Sequence, residues 1–420
     1  MPEASRALHL LWPLCEDGLA QLRAQWRQHA LTLVGIVWGA AAVVLLLSYG
    51  AGFYSLLDVG FKKTGDRYVA AWGRYTTTEL GGARPGRPIV LERDDLDRVR
   101  AGTPSARYVA AEFQRGAVAA RTPHRTRTAV LSAATPALQW IKVHRVERGR
   151  FYDERDDLQR RSVAVLGADL PEIFFADGRA LGRTIHVEGW PFEVIGVLRK
   201  KGNQFVTNNG LHDEMIFIPM GRAQRLFDMG DGVGSLLVDA WRRDEAPQVE
   251  TELRAAIAPF HRIDPDDEEA LGVMSLPRLT STFMQIGIGL ELLLGGIGTL
   301  MLAMAGVGVA NLMIASVHQR RTELAVRRAC GARSGDVTLQ LGVETLVVVL
   351  AGGALGVTTG AGLAWAISLL PLPDMLPSPR VSPHVLLTSF GVLVAVGLIA
   401  GIAPGRAASS VDPAAALRVT

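Results

Sequence analysis

Lysine and cysteine are scarce in this chain, and the motifs that bind nucleotides or metals are missing from it. Among 44 basic residues only Lys62, Lys63, Lys142, Lys200 and Lys201 are lysine. None follows a Gly-rich loop and G-x-x-x-x-G-K-[ST] does not occur, so these 420 residues are not expected to hydrolyse ATP by themselves. The two cysteines, Cys15 and Cys330, fall outside the long middle region, which excludes a disulfide framework there; they read as unpaired thiols. The nine histidines are scattered, without H-E-x-x-H or a Cys/His cluster, so no metal site is expected. A G-x-S-x-G elbow is also missing. A formal charge of +3 gives no case for nucleic-acid binding.

What the chain does have is long uncharged runs. Its hydrophobic share of 49% is unremarkable by itself; the clustering decides. A spanning helix needs about 20 largely apolar residues. Four stretches qualify: 30–57, 292–317, 345–372 and 385–405. The second is preceded by 283–290 and interrupted only by Glu291; the third extends upstream past Glu344. A cleaved signal peptide competes for the first run, but its usual charged region is short, whereas about 29 residues precede this one. Gly295, Gly296, Gly298, Gly306 and Gly308 in the second run, and Gly352, Gly356 and Gly360 in the third, have the spacing that lets helix backbones approach closely in lipid. Glycine is also simply common in membrane helices, and spacing alone leaves both readings open. Glu291 and Glu344 sit near span ends, where water or an arginine can satisfy them.

Arginine placement orients the spans. Arg23 and Arg27 precede the first; Arg320, Arg321, Arg327, Arg328 and Arg333 lie between the second and third; Arg406 follows the fourth, while the loop 373–384 carries only Arg380. Both termini and 318–336 are therefore expected in the cytoplasm, and 58–275 outside it. Before the first span, Leu19, Leu22 and Trp26 share one helical face and Gln21, Arg23, Gln25 and Arg27 the other, as suits an interfacial helix.

The region 58–275 has mixed patterning. Val163-Ala164-Val165-Leu166-Gly167 reads as a buried strand, 170–175 as a short helix, 184–188 with 192–197 as a hairpin, and 215–219 as another strand. Residues 246–258 read as a helix with Val249, Leu253 and Ile257 on one face. The domain is α+β and shows no catalytic constellation. His212-Asp213-Glu214 reads as an exposed loop, and the Arg- and Asp-rich stretch 147–161 as a solvated face.

Three segments carry a resemblance. After Leu294-Gly295-Gly296-Ile297-Gly298 and Asn311-Leu312-Met313 comes Val317-His318-Gln319-Arg320-Arg321-Thr322-Glu323-Leu324-Ala325-Val326-Arg327-Arg328-Ala329-Cys330-Gly331-Ala332-Arg333. Residues 162–196 form the second segment. The third is Gly401-Ile402-Ala403-Pro404-Gly405-Arg406-Ala407-Ala408 followed by Val411-Asp412-Pro413-Ala414-Ala415-Ala416-Leu417-Arg418. Together they resemble the MacB/FtsX/LolC-LolE family of ABC transporter permeases. The likeness is weak over 60–150 and 198–275, and no ATPase is fused within these residues as it is in the macrolide exporter.

The resemblance implies a membrane protein with four transmembrane α-helices and an α+β extracytoplasmic domain inserted between helices 1 and 2. The expected layout is a cytoplasmic segment with interfacial helix (1–29), transmembrane helix 1 and its extension (30–57), a MacB-like core domain (58–275), a stalk with transmembrane helix 2 (276–317), and a cytoplasmic coupling helix (318–336). Transmembrane helix 3 (337–372), a short outer loop (373–384), transmembrane helix 4 (385–405) and a cytoplasmic tail (406–420) complete it. The coupling helix would dock an ATPase through Arg320, Glu323, Leu324, Arg327, Arg328, Gly331 and Ala332. The residues agree: Glu323, Arg327 and Arg328 offer charge, Leu324 and Val326 apolar contacts, and Gly331 a helix stop. A plain positive-inside anchor would explain the arginines but not Glu323 or the terminating Gly-Ala.

No cofactor is expected on this chain, with ATP and Mg on a dimeric partner ATPase. Further implied partners are a second permease copy or a paralogous permease, membrane lipid, and a periplasmic adaptor or outer-membrane protein, with no nucleic acid. Two functions follow from the resemblance. One is a permease of the inner membrane that couples ATP hydrolysis in a separate subunit to motion of the outer domain, for export or release of a substrate. The other is an FtsX-like regulator that activates a periplasmic partner without transport.

Overall fold

The computed structural model describes residues 26–79, 85–202, 212–264, 267–330, 332–371 and 376–409. Most of the expected interfacial helix, Cys15, Gly331 and the tail motif 411–418 lie outside them. The chain divides into two compact units, a helical one (1–56 and 285–420) and a sheet unit (57–284).

Among the described residues four helices are long and apolar enough to cross a membrane. They run Trp26–Thr64, Leu276–Gln319, Ser334–Ser368 and Pro383–Ser409. At 1.5 Å per residue the first two reach about 58 and about 66 Å, twice the hydrocarbon thickness of a bilayer. No proline stops helix growth between Gly52 and Thr64, and Leu276-Pro277 opens the second helix, where proline lacks only a bond the first turn would not make. Within the helical unit the first span is the most enclosed of the four. Ile36, Ala40, Val43 and Leu47 form a core with Leu302 and Val309 of the second span, Val348 and Val349 of the third and Leu393 of the fourth.

The sheet unit is built on ten strands: β1 (Tyr68–Gly73), β3 (Ala106–Arg121), β4 (Thr126–Ala134), β5 (Val146–Gly149), β6 (Val163–Leu166), β7 (Thr184–Val187), β8 (Trp190–Leu198), β9 (Met215–Pro219), β11 (Ser235–Ala240) and β12 (Leu271–Ser275). The order is β12-β1-β11-β3-β4-β9-β6-β8-β5, with β7 bridging β3 and β8. Among the described residues, β4 with β9 and β6 with β8 pair in parallel and the other strand pairs are antiparallel. Two short strands, β2 (Leu91–Glu92) and β10 (Gly232–Val233), form a separate pair. The helices Arg93–Gly102 and Ala246–Ile257 cover one face of the sheet through Leu96, Val99, Val249, Leu253 and Ile257. The short helix Leu138–Ile141 contributes to a second core that includes Tyr152, Phe217 and Leu276. In β1, Val69 and Ala71 join the first core and Tyr68 and Ala70 the second, so both faces of the strand are buried.

The strand at 163–166, the helix Leu170–Phe174, the hairpin β7–β8 and the helix bearing Val249, Leu253 and Ile257 match the sequence reading. Two readings need correction. His212-Asp213-Glu214 is a single 3-10 turn with His212 and Asp213 buried, because the Asp213 carboxylate accepts the backbone N–H groups of Lys201 and Gly202. Within 147–161, Asp156 and Asp157 are buried as well. Asp156 pairs with Arg150 and Arg161, and Asp157 pairs with Arg93 and accepts the Gly221 N–H at 2.7 Å.

Candidate coupling helix and span contacts

The segment after the second span folds as a nine-residue helix, Arg321–Ala329. The long helix gives way at Arg320, whose φ of −100° and ψ of 19° leave the helical region. Its N–H still reaches Ser316 O, and Leu324 N–H reaches Arg320 O, so the backbone ladder is nearly unbroken across the corner. Leu324 and Ala325 are buried and fix which side of the helix turns inward. Val326, two residues beyond Leu324 and about 200° around the helix, is exposed and available as an apolar contact for a partner, whereas Leu324, expected in the same role, is buried against the spans.

The charged residues form a closed ring with the third span. Arg320 donates to Glu323 through Nε at 3.1 Å and Nη2 at 3.2 Å, and Arg327 Nη2 donates to Glu323 Oε1 at 2.8 Å. Arg327 Nη1 also donates to Gln340 Oε1 at 3.0 Å, and Gln340 Nε2 to Glu344 Oε1 at 3.1 Å. Arg320 Nη1 lies 3.5 Å from Glu344 Oε2 and closes the circuit. The Arg320 hydrogen bond, working against burial and helped by both arginine charges, holds the Glu323 carboxyl below its usual range. Gln340 was not singled out in the sequence; an i, i+4 pairing with Glu344 at the start of a span was the available signal. Arg328 is half-buried, and Ala332 N–H bonds Arg327 O at 3.1 Å. Gly331 lies outside the described residues.

The expected glycine contacts divide. A methyl group on Gly352 would lie 3.1 Å from Ile36 Cγ2, one on Gly356 2.6 Å from Ala40 Cβ, and one on Gly360 2.8 Å from Ala41 O. All three therefore line one seam against the first span. Gly298 approaches Val43 and Gly295 approaches Leu47 from the second span. Gly296 is corrected: nothing lies within 4 Å of its added methyl, because one residue past Gly295 is about 100° around the helix. Gly353, which faces Leu393 of the fourth span, and Gly39, which faces Leu302, were missed.

Four apolar helices, a sheet domain between the first and second, and a short charged helix between the second and third define an integral-membrane permease of the ABC transporter class. The chain belongs to the MacB/FtsX-type family within it: residues 29–256 match the MacB-like periplasmic core domain and residues 295–413 the FtsX-like permease C-terminal region. It is 27% identical over 417 residues to the macrolide export ATP-binding/permease protein MacB of Bdellovibrio bacteriovorus, covering 97% of this chain and 62% of that protein. The pyoverdine export ATP-binding/permease protein PvdT of Pseudomonas aeruginosa is 27% identical over 412 residues, covering 95% of this chain and 58% of that one. The chain thus spans about three-fifths of the length of these curated relatives. The crystal structure of the periplasmic region of MacB from Actinobacillus actinomycetemcomitans aligns with 53% of this chain and 94% of that one, at 17% identity and a TM-score of 0.42.

Proposed function

We propose that this chain is the permease subunit of a mechanotransmission-type ABC transporter in the inner membrane, with both termini cytoplasmic and the sheet unit in the periplasm. Two permeases pair above two ATPase subunits, which carry ATP and Mg and lie outside these 420 residues as separate polypeptides. ATP binding closes the ATPases and shifts the coupling helix. The shift passes along the 44-residue helix to the periplasmic domain, which expels or hands over a substrate already outside the inner membrane. The single observation that carries this reading is the closed ring of Arg320, Glu323, Arg327, Gln340 and Glu344, which fixes the coupling helix to the third span at the corner where it leaves the second. A helix held at two points moves its supports when it is pushed, which is what coupling through rigid elements needs. Export is favoured over FtsX-like regulation because the MacB-like core match fills 29–256, and the relatives above are named for the export of small compounds.

The test is purification of the tagged chain in mild detergent, with mass spectrometry of what accompanies it. A nucleotide-binding subunit should copurify. It should be lost on Val326→Asp, which alters the exposed face alone, and reduced on the double change Glu323→Ala with Arg327→Ala, which opens the ring. Absence of any such subunit across several detergents would end the proposal.

A further inference from the structure

One cleft of the sheet unit carries more positive charge than its fold requires. The first long helix ends in Lys62 and Lys63; Val143 and Arg145 precede β5; and β8 runs into Arg199, Lys200 and Lys201. With Val59 these residues line a cleft of about 380 Å³. Among the described residues, ion pairs within 4 Å join Lys62 to Asp58 and Lys200 to Asp169, each at 2.8 Å. Asp213 accepts the N–H groups of Lys201 and Gly202, and its charge offsets part of the crowding at Lys201 but not at Lys63, Arg145 or Arg199. Among the described residues no acid pairs with Lys63, Arg145 or Arg199.

The backbone makes this crowding worse. Arg199 N–H donates to Arg145 O at 2.7 Å, so the two arginines are neighbours across paired strand ends, where like charges oppose folding. The Lys201 ammonium is held by neutral groups, the Lys142 carbonyl at 2.6 Å and His212 Nδ1 at 3.3 Å. Burial and then the Lys142 charge push it down to about 7. Val143 adopts φ +53°, a conformation β-branched residues rarely take, and keeps its side chain exposed at the cleft beside the equally exposed Val59. Unrelieved repulsion and a strained apolar residue at one cleft are costs that a bound ligand would offset.

We infer that this cleft binds a phosphate-type anion carried on an apolar stem. The Arg145 and Arg199 guanidiniums suit phosphate oxygens in forked geometry, Lys63 adds a point charge, and Val59 and Val143 border the stem. The ligand has two sources of the same chemistry: a phospholipid headgroup, since Lys62 and Lys63 lie on the helix that continues the first span, or a free amphiphilic phosphate. The inference rests on the membrane-permease reading but not on ATPase coupling, so a failed copurification leaves it standing.

The full chain in maltoside micelles is titrated by calorimetry with dihexanoyl phosphatidic acid and, separately, with inorganic phosphate. Dihexanoyl phosphatidic acid should bind with affinity that falls at least about tenfold in Arg145→Gln/Arg199→Gln. Arg145→Lys/Arg199→Lys should lose less, because it keeps the charge but not the fork. Arg121→Gln/Arg127→Gln, elsewhere on β3 and β4, should change nothing. The unfolding midpoint of the Gln pair should be equal to or above the parent, which separates lost binding from lost folding; Lys63→Gln gives the same answer if that pair does not fold. In phosphatidylcholine nanodiscs, slower hydrogen exchange at 143–146 and 198–202 on adding phosphatidylglycerol identifies a headgroup as the source. Protection only on adding the soluble phosphatidic acid identifies a free ligand. No binding of dihexanoyl phosphatidic acid, or binding unchanged in the Gln pair, overturns the inference.

Discussion

Replacing Gly356 by alanine tests the helical unit at its closest approach. The added methyl carbon would lie 2.6 Å from Ala40 Cβ and 2.6 Å from Val37 O. Carbon atoms in contact prefer about 3.5–4.0 Å, so the third span must retreat by about 1 Å. The obstacle includes a backbone carbonyl of a neighbouring helix, which cannot rotate aside as a side chain would. Overfilling a close contact of this kind costs about 1–3 kcal/mol. Alanine returns up to about 1 kcal/mol through its better helix propensity, leaving a net loss of up to about 2 kcal/mol. Gly296→Ala is the internal control: its methyl meets nothing within 4 Å, so only the propensity gain of up to about 1 kcal/mol remains. The propensity gain is common to both, so denaturant unfolding of the full chain in mixed micelles should separate the two variants by the overpacking cost, about 1–3 kcal/mol, with Gly356→Ala the weaker. Equal stability would mean that the Gly352-Gly356-Gly360 seam does not bear the contact with the first span.

Two further predictions concern the sheet unit. Lys142 Nζ donates to both Glu112 oxygens at 2.8 and 2.6 Å in a buried pair that Ser132 and Gln114 also support. Burial alone would raise the Glu112 carboxyl, but Lys142 and these hydrogen bonds hold it below its ordinary value. Lys142→Met strands that charge and should cost about 3–5 kcal/mol in denaturant unfolding, with most of it recovered when Glu112→Leu is added. His144 and His212 are buried and held well below 6.5, first by burial and then by the neighbouring ammonium charges of Lys201 and Lys142. The unfolded chain takes up these protons near 6.5 and the folded chain does not. Stability is therefore full above that pH and falls as pH drops below it, by about 1.4 kcal/mol per pH unit per histidine. Hydrogen exchange of the β9 amides between pH 7 and pH 5.5 should show this slope, and His144→Phe should halve it; a flat profile would refute it.

The long spans were legible because each exceeds the length that only a membrane or a large core can bury, and the β7–β8 hairpin because Gly189 marks the turn between two β-rich runs; Trp190 and Pro191 already belong to β8. β1 and β3 were not. Tyr68–Gly73 is buried on both faces, so it shows no alternation, and its short alanine-rich run could equally be helical. β3 carries Glu112 in its middle, a residue that argues against a buried strand until Lys142, 30 positions later, is seen to neutralise it. The same limit explains His212 and Asp213: a polar triplet looks exposed in sequence, and only the fold brings the Lys201 and Gly202 amides to Asp213. Glycine spacing located the Gly352-Gly356-Gly360 seam because i, i+4 positions share a helical face. Spacing cannot say which of two adjacent glycines faces a neighbour, and so it included Gly296 and missed Gly353.

The candidate coupling helix shows why this matters for function. In sequence, Glu323 and Arg327 stand out as charges offered to a partner. In the structure they bond to each other, to Arg320 and to Gln340, and their first task is to hold the helix in place. Exposed ion pairs are individually weak, but here five side chains share one circuit, and Glu344, its innermost member, is buried. Losing any one loosens several contacts at once. The surface left for an ATPase is the side turned away from Leu324 and Ala325, where Thr322, Val326 and Ala329 are exposed at helical spacing. On the proposed coupling, docking would rest mainly on this exposed face and force transmission mainly on the ring, whose full opening would weaken docking only by loosening the helix. Val326→Asp should abolish association while leaving the fold of the permease intact, whereas Gln340→Ala should leave the ATPase bound but lower ATP-driven motion of the periplasmic domain, read as a distance change between spin labels on that domain and the fourth span. If both variants lose the ATPase equally, the ring is part of the docking surface and the division of roles is wrong.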